Sequence, residues 1–212
     1  MNEEQAVLEF FAKPENLPLS LSVAEQMDKL REQMNNRFWK DLMSRINALI
    51  QAHKLTWNFE FTEDKNATDI LVGLHCITAL GQTLNLSPML EQQYLGGLWR
   101  IYFGLRWSAP PSPDQLGLPA VNNLKESLQK AGFKNNESFL AWQWTTFHPR
   151  RIDFLLRYAN HPEQLLDDIE AIFKTLLLDQ AASIGLANAA LQAIPHSMPI
   201  SLKKLRSKLS ES

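Results

Sequence analysis

The stretch from Tyr94 to Trp107, YLGGLWRIYFGLRW, constrains this chain more than any other. Its odd positions, Leu95, Gly97, Trp99, Ile101, Phe103, Leu105 and Trp107, are apolar or glycine. Its even positions include Tyr94, Arg100, Tyr102 and Arg106. Side chains alternate faces along a strand, so the pattern reads as one apolar face and one aromatic–basic face. The stretch is therefore read as a strand at the centre of a sheet. Gly96-Gly97 is either a bulge within it or the turn of a hairpin whose second strand starts at Leu98.

The flanking segments supply what such a sheet packs against. A short helix around Val7, Phe10 and Phe11 is broken by Pro14 and Pro18. Ser22 to Glu25, SVAE, fits a capping box. Val23, Met27, Leu30, Met34, Phe38, Leu42, Ile46 and Leu49 follow at steps of three or four, which predicts one amphipathic helix over residues 22–53. A helix of that length either lies across a whole sheet or protrudes to meet a partner.

Residues 55–62 alternate as a half-buried strand, with Trp57, Phe59 and Phe61 on one face. Ile70 to Leu80 is almost continuously apolar, as in a strand covered on both faces, although a buried helix has the same signature. Pro88 argues against a long regular element in residues 81–93. Residues 108–119, SAPPSPDQLGLP, carry four prolines and read as a loop and a subdomain hinge. Pro119 opens a helix that Gly132 stops. Phe139 to Phe147 reads as a fourth strand with Leu140, Trp142 and Trp144 on one face, the tryptophans as core. After His148-Pro149 the chain turns helical, with a short helix from Ile152 and a longer one from Pro162 toward Leu191, bent at Gly185. The sum is a single α+β domain over residues 1–212, a mostly antiparallel sheet of about four strands flanked by helices.

The 212 residues are 45% apolar and 21% charged, an ordinary globular balance. The net charge of −2 gives no global pull toward nucleic acid or anionic lipid, but leaves room for a local basic patch. Cys76 is the only cysteine and sits in an apolar run, as a buried inert thiol would. The start, MNEEQAVLEFF, is acidic and lacks the basic opening and long apolar core of a signal peptide. No apolar run approaches the ~18 residues that span a bilayer. The expectation is a cytoplasmic protein with no membrane segment.

There is no phosphate-loop, dinucleotide, zinc-protease, serine-elbow or paired-cysteine motif. The five histidines show no ligand spacing, so no metal and no cofactor are expected. Glu63-Asp64-Lys65 matches the E-x-K pair of metal-dependent nucleases, in which the carboxylate holds the metal and the lysine assists the attacking water. The upstream aspartates Asp28 and Asp41 fall inside the long helix, with no strand to present them beside Glu63.

The aromatic–basic face is the better candidate. Arginine forks bind phosphate, and aromatic rings stack bases. Arg100, Tyr102 and Arg106 are therefore tentative ligand-binding residues. Their rival role is pairing with acids of a covering helix, such as Asp41 or Glu170. Arg150 and Arg151 join them, because they stand where a strand hands over to a helix start. The KKLRSK tail is a solubilising segment or one that folds onto a partner.

FWKDL on a helix, a strand ending in IYFGLRW, then FLAWQW and FLLRYANHPEQLLDDIEAI together resemble the C-terminal accessory region of bacterial PD-(D/E)XK nuclease superfamily proteins. The resemblance covers about residues 37–178, and the nuclease half that precedes this region in those proteins has no counterpart here. It implies a freestanding, non-catalytic relative, and it carries over no catalytic residue. The expected function is a binding or accessory protein in bacterial nucleic-acid processing or defence, with a nucleic-acid or protein partner. The alternatives are a metal-dependent nuclease using Glu63 and Lys65, or a structural protein that forms oligomers through the 22–53 helix.

Overall fold

The computed structural model describes residues 3–70, 72–78, 84–95 and 98–194. Two helices lead, α1 (Glu3–Ala12) and α2 (Leu17–Ala52). Four strands follow, β1 (Trp57–Phe61), β2 (Val72–Thr78), β3 (Leu86–Leu95) and β4 (Leu98–Trp107). Then come α3 (Pro113–Leu116), α4 (Pro119–Lys130) and β5 (Phe139–Trp144). The chain finishes with α5 (Ile152–Asn160), α6 (Pro162–Lys174), a π-helical turn (Thr175–Asp179) and α7 (Ala181–Gln192). This is an α+β fold.

The strands form one antiparallel sheet in sequence order, β1-β2-β3-β4-β5. The sheet has one strand more than the sequence reading, and β3 holds the middle instead of β4. Pro88 sits within β3 opposite Leu105. The described pairing of β2 with β3 stops at Met89, so the missing proline N–H interrupts no ladder bond on that side. Leu95 pairs with Leu98, which makes β3 and β4 a hairpin. Gly96 and Gly97 themselves lie outside the described residues, as do Gly81 and the KKLRSK tail.

That hairpin splits the leading motif into two strands and reassigns a residue. Tyr94 pairs with Trp99, and their rings lie 5.4 Å apart. Directly opposed residues point to the same side of a sheet. Tyr94 therefore shares a face with Trp99, not with Arg100.

The odd positions of β4 face the helices, as the alternation requires. Trp99, Ile101, Phe103, Leu105 and Trp107 are all buried. Most of this row joins one core with Leu74 and Cys76 of β2, Leu86 and Leu90 of β3, and the helices. The C-terminal half of α2 crosses this face through Phe38, Trp39, Leu42 and Ile46, each fully buried. Trp39 donates its Nε1–H to Gln92 Oε1 at 2.7 Å, and Gln92 donates to the Lys65 carbonyl at 2.6 Å. Those bonds fix α2 against β3 while satisfying polar groups that burial would otherwise penalise.

The long helix starts earlier than the capping box implies. Pro18 lies in its first turn, where a fixed φ is pre-organised and a missing N–H costs nothing. Ser22 and Glu25 are then interior residues. Gly132 ends the α4 region with φ +90°, a conformation that favours glycine. The 108–119 segment holds α3, whose N-cap Ser112 forms a capping box with Gln115. In the C-terminal helices the expected bend at Gly185 falls elsewhere. The π-helical turn at Thr175–Asp179 separates α6 from α7, and Gly185 lies inside α7. No helix among the described residues is long and apolar enough to cross a membrane.

Candidate binding face of the sheet

The sheet's second face carries the even positions of β4. The hairpin register sets what stands beside them, because each step back along β3 is a step forward along β4. Glu91 is opposite Tyr102, Met89 opposite Gly104, Gln93 opposite Arg100 and Ser87 opposite Arg106. On β2, Gly73 faces Glu91 and His75 faces Met89. On β5, Trp144 faces Tyr102 and Trp142 faces Gly104.

This placement corrects the reading of the WQW segment. The β4–β5 register shifts at Leu105/Arg106, with Ala141 opposite Leu105 and Phe139 opposite Arg106. The bulge sends Leu140 into the core, where it is 2% exposed. Trp142 and Trp144 stay on the second face and are half-buried. They are a surface of the sheet rather than its core.

The glycines on this face are spatially required. A Cβ on Gly104 would fall 2.2 Å from the Ala141 carbonyl oxygen, and one on Gly73 would fall 2.3 Å from that of Leu90. Neighbouring strands thus curl in over this side. Tyr102 sits in the resulting aromatic cluster, its ring 5.1 Å from Trp144, 6.1 Å from Phe139 and 6.4 Å from Trp142. Trp142 and Trp144 meet edge to face at 5.7 Å. Among the described residues the Trp142 indole nitrogen has no hydrogen-bond partner.

Beneath the aromatics lies Glu91, fully buried. Tyr102 donates its hydroxyl to Glu91 Oε2, and Glu91 Oε1 is bonded to His75 Nε2. Burial first, and then the Glu91 charge and hydrogen bond, push the Tyr102 phenol well above the usual tyrosine range. Both carboxylate oxygens are engaged, so the acid is screened from anything resting on the face.

The two strand arginines differ in how they are held. Arg100 donates Nε–H to the Thr145 carbonyl at 2.9 Å and lies 5.1 Å over the Trp144 ring. Arg106 is half-buried and makes no hydrogen bond or ion pair with a described residue. The acids proposed as their partners are engaged elsewhere. Asp41 accepts from Tyr158 at 2.5 Å and lies 3.8 Å from Arg37, while Glu170 pairs with Arg45 and Lys174.

Arg150 and Arg151 do not join this face. Arg150 lies 5.9 Å over Trp99, on the helix side, and 3.9 Å from Glu32. Arg151 is the N-cap residue of α5 and pairs with Asp153 at 3.2 Å. With Arg31 they line a separate cavity of about 560 Å³. The four arginines thus form two sites on opposite sides of the sheet.

Glu63 and Lys65 line a cavity of about 290 Å³ with Lys40 and Phe61. Lys65 donates to the Glu63 carbonyl oxygen at 2.8 Å and lies 4.4 Å from the Phe61 ring centroid. Asp64 caps the Asn66 amide at 2.8 Å. Asp28 pairs with Arg31, so neither Asp28 nor Asp41 is turned toward Glu63. Among the described residues there is no group of three or more His, Cys, Asp or Glu side chains placed to hold a metal.

The sequence reading missed Glu91 and His75. Their signal was available once 94–107 is taken as a hairpin, because the register then sets Glu91 against Tyr102. Compared with family models, curated proteins and solved structures, the chain matches none.

Proposed function

We propose that this is a non-catalytic binding protein that takes single-stranded nucleic acid on the second face of its sheet, as an accessory component of bacterial nucleic-acid processing or defence. One observation carries the reading. Arg100 and Arg106 share a strand face with Tyr102 between them and Trp142 and Trp144 alongside, and neither arginine is neutralised by an acid of the described residues. Six residues of strand separate them by ~20 Å, a spacing that suits two phosphates along one backbone better than a single phosphate. Half-buried indole rings between the two charges offer stacking surfaces that tolerate any base. The resemblance of residues 37–178 to nuclease accessory regions supports the biological setting.

Trp142 and Trp144 report on their own site. Titration with an oligothymidylate of fixed length should quench tryptophan emission, and the quench should shrink in Trp144→Phe. Emission that does not respond to DNA or RNA at low salt would overturn the proposal.

A further inference from the structure

The outer edge of the sheet carries a further cation. Gly132 turns the chain out of α4, and residues 133 and 134 then run beside β5. Phe133 is buried and packs edge to face on Phe103, so it points to the helix side. Successive residues of an extended segment point to opposite sides, which sends Lys134 to the second face. The pairing agrees. Lys134 and Trp142 exchange both backbone hydrogen bonds, at 2.9 and 2.7 Å, and directly opposed residues share a face. Trp142 is in turn opposite Gly104. Lys134 therefore stands in the row between Tyr102 and Arg106, two strand spacings or roughly 10 Å out from β4.

The Lys134 side chain is exposed, with its ammonium 5.8 Å from the Trp142 ring centroid. It makes no ion pair or side-chain hydrogen bond with a described residue. Arg100 lies over Trp144 in the same manner. Each tryptophan of the face thus has a cation against it. Arg100 and Arg106 stand toward the two ends of the pair, and Lys134 stands on its outer side. The inner side is different. The residues that β1, β2 and β3 place on this face include no lysine or arginine and two carboxylates, Glu60 and Glu91. A phosphate backbone is therefore drawn toward β5 and away from β1.

We infer, on the nucleic-acid reading of this face, that Lys134 is a third phosphate contact and that a bound single strand leaves the sheet over the outer edge of β5. Arginines on one strand give two contacts in a line. The lysine beyond the edge turns that line into a strip that covers both indoles.

The test is fluorescence anisotropy of a labelled oligothymidylate at several salt concentrations. It compares the wild type with Lys134→Ala, Lys134→Arg and, as a control for bulk charge, Lys29→Ala on the exposed part of α2. Lys134→Ala should reduce the slope of log K against log salt by ~0.7, the share of one phosphate contact on a single strand. Lys134→Arg and Lys29→Ala should keep the wild-type slope. All three variants should melt close to the wild type, because both lysines are exposed. Salt-dependent binding by the wild type with no change in Lys134→Ala would overturn the inference and leave the binding face as proposed. An equal loss in Lys29→Ala would also overturn it, as an effect of bulk charge. Absence of salt-dependent binding by the wild type would remove both the contact and the face it extends.

Discussion

Tyr102 and Glu91, directly opposed on β4 and β3, share a hydrogen bond on the sheet's second face, with His75 on the other carboxylate oxygen. Removing the carboxylate strands two donors in a buried setting, at about 1–3 kcal/mol for each group left unpaired. Glu91→Ala should therefore lose roughly 2–6 kcal/mol in urea unfolding. A double-mutant cycle with Tyr102→Phe should show a coupling well above the error of additivity. A loss in Glu91→Ala no larger than that of an exposed substitution would mean the trio does not anchor the face.

Phe103 stands on the helix side, 6% exposed and edge-on to Phe133 at 5.2 Å. Truncating a buried phenylalanine removes its transfer energy and leaves a cavity, about 3–5 kcal/mol in all. Phe103→Ala should fall in that range or fail to fold. A near-unchanged melting temperature would contradict the assignment of faces on β4.

Three buried groups tie stability to alkaline pH. Burial raises the Cys76 thiol. Burial, then Glu91, raises the Tyr102 phenol, and burial, then the hydrogen bond to Asp41, raises that of Tyr158. Each group keeps its proton in the folded state at a pH where the unfolded chain has released it. Their contribution is intact below the unfolded values, about 8.5 for the thiol and about 10 for the phenols, and is lost as pH rises above them. Urea midpoints should begin to fall near the first value and fall more steeply past the second. Tyr158→Phe should flatten the second decline, and an unchanged slope in that variant would contradict the assignment.

Glu63 and Lys65 provide the test of the catalytic alternative. Purified protein incubated with DNA or RNA and Mg²⁺ or Mn²⁺ should leave the strands intact. Cleavage that disappears in Glu63→Ala would replace the binding account with a nuclease.

What could be read in advance divides along physical lines. The alternation of β4 was legible because every odd position is apolar or glycine, and the helix-side burial of Trp99, Phe103 and Trp107 follows it. β3 was hidden by Pro88, since sequence does not reveal which backbone groups lack a neighbouring strand. The face of Tyr94 depended on β3 and β4 pairing as a hairpin, in which Tyr94 stands opposite Trp99 and so takes the face of the odd positions. Trp142 and Trp144 were misplaced because the bulge at Leu105/Arg106 shifts their register without any turn residue to announce it. Arg150 and Arg151 were grouped with Arg100 for their place at a helix start, but tertiary packing sets Arg150 over Trp99 on the other side of the sheet.

Arg106 offers a sharper probe of the binding face than Arg100, whose bonds to Thr145 and Trp144 mix stability into any measured effect. Fluorescence anisotropy of a labelled single strand, measured at several salt concentrations for wild type and Arg106→Ala, separates binding from folding. Arg106→Ala should melt like the wild type, bind more weakly on every sequence, and reduce the slope of log K against log salt by ~0.7, the value of one lost phosphate contact on a single strand. Equal affinity and equal slope in the two proteins, or no salt-dependent binding by the wild type, would contradict a nucleic-acid role for this face.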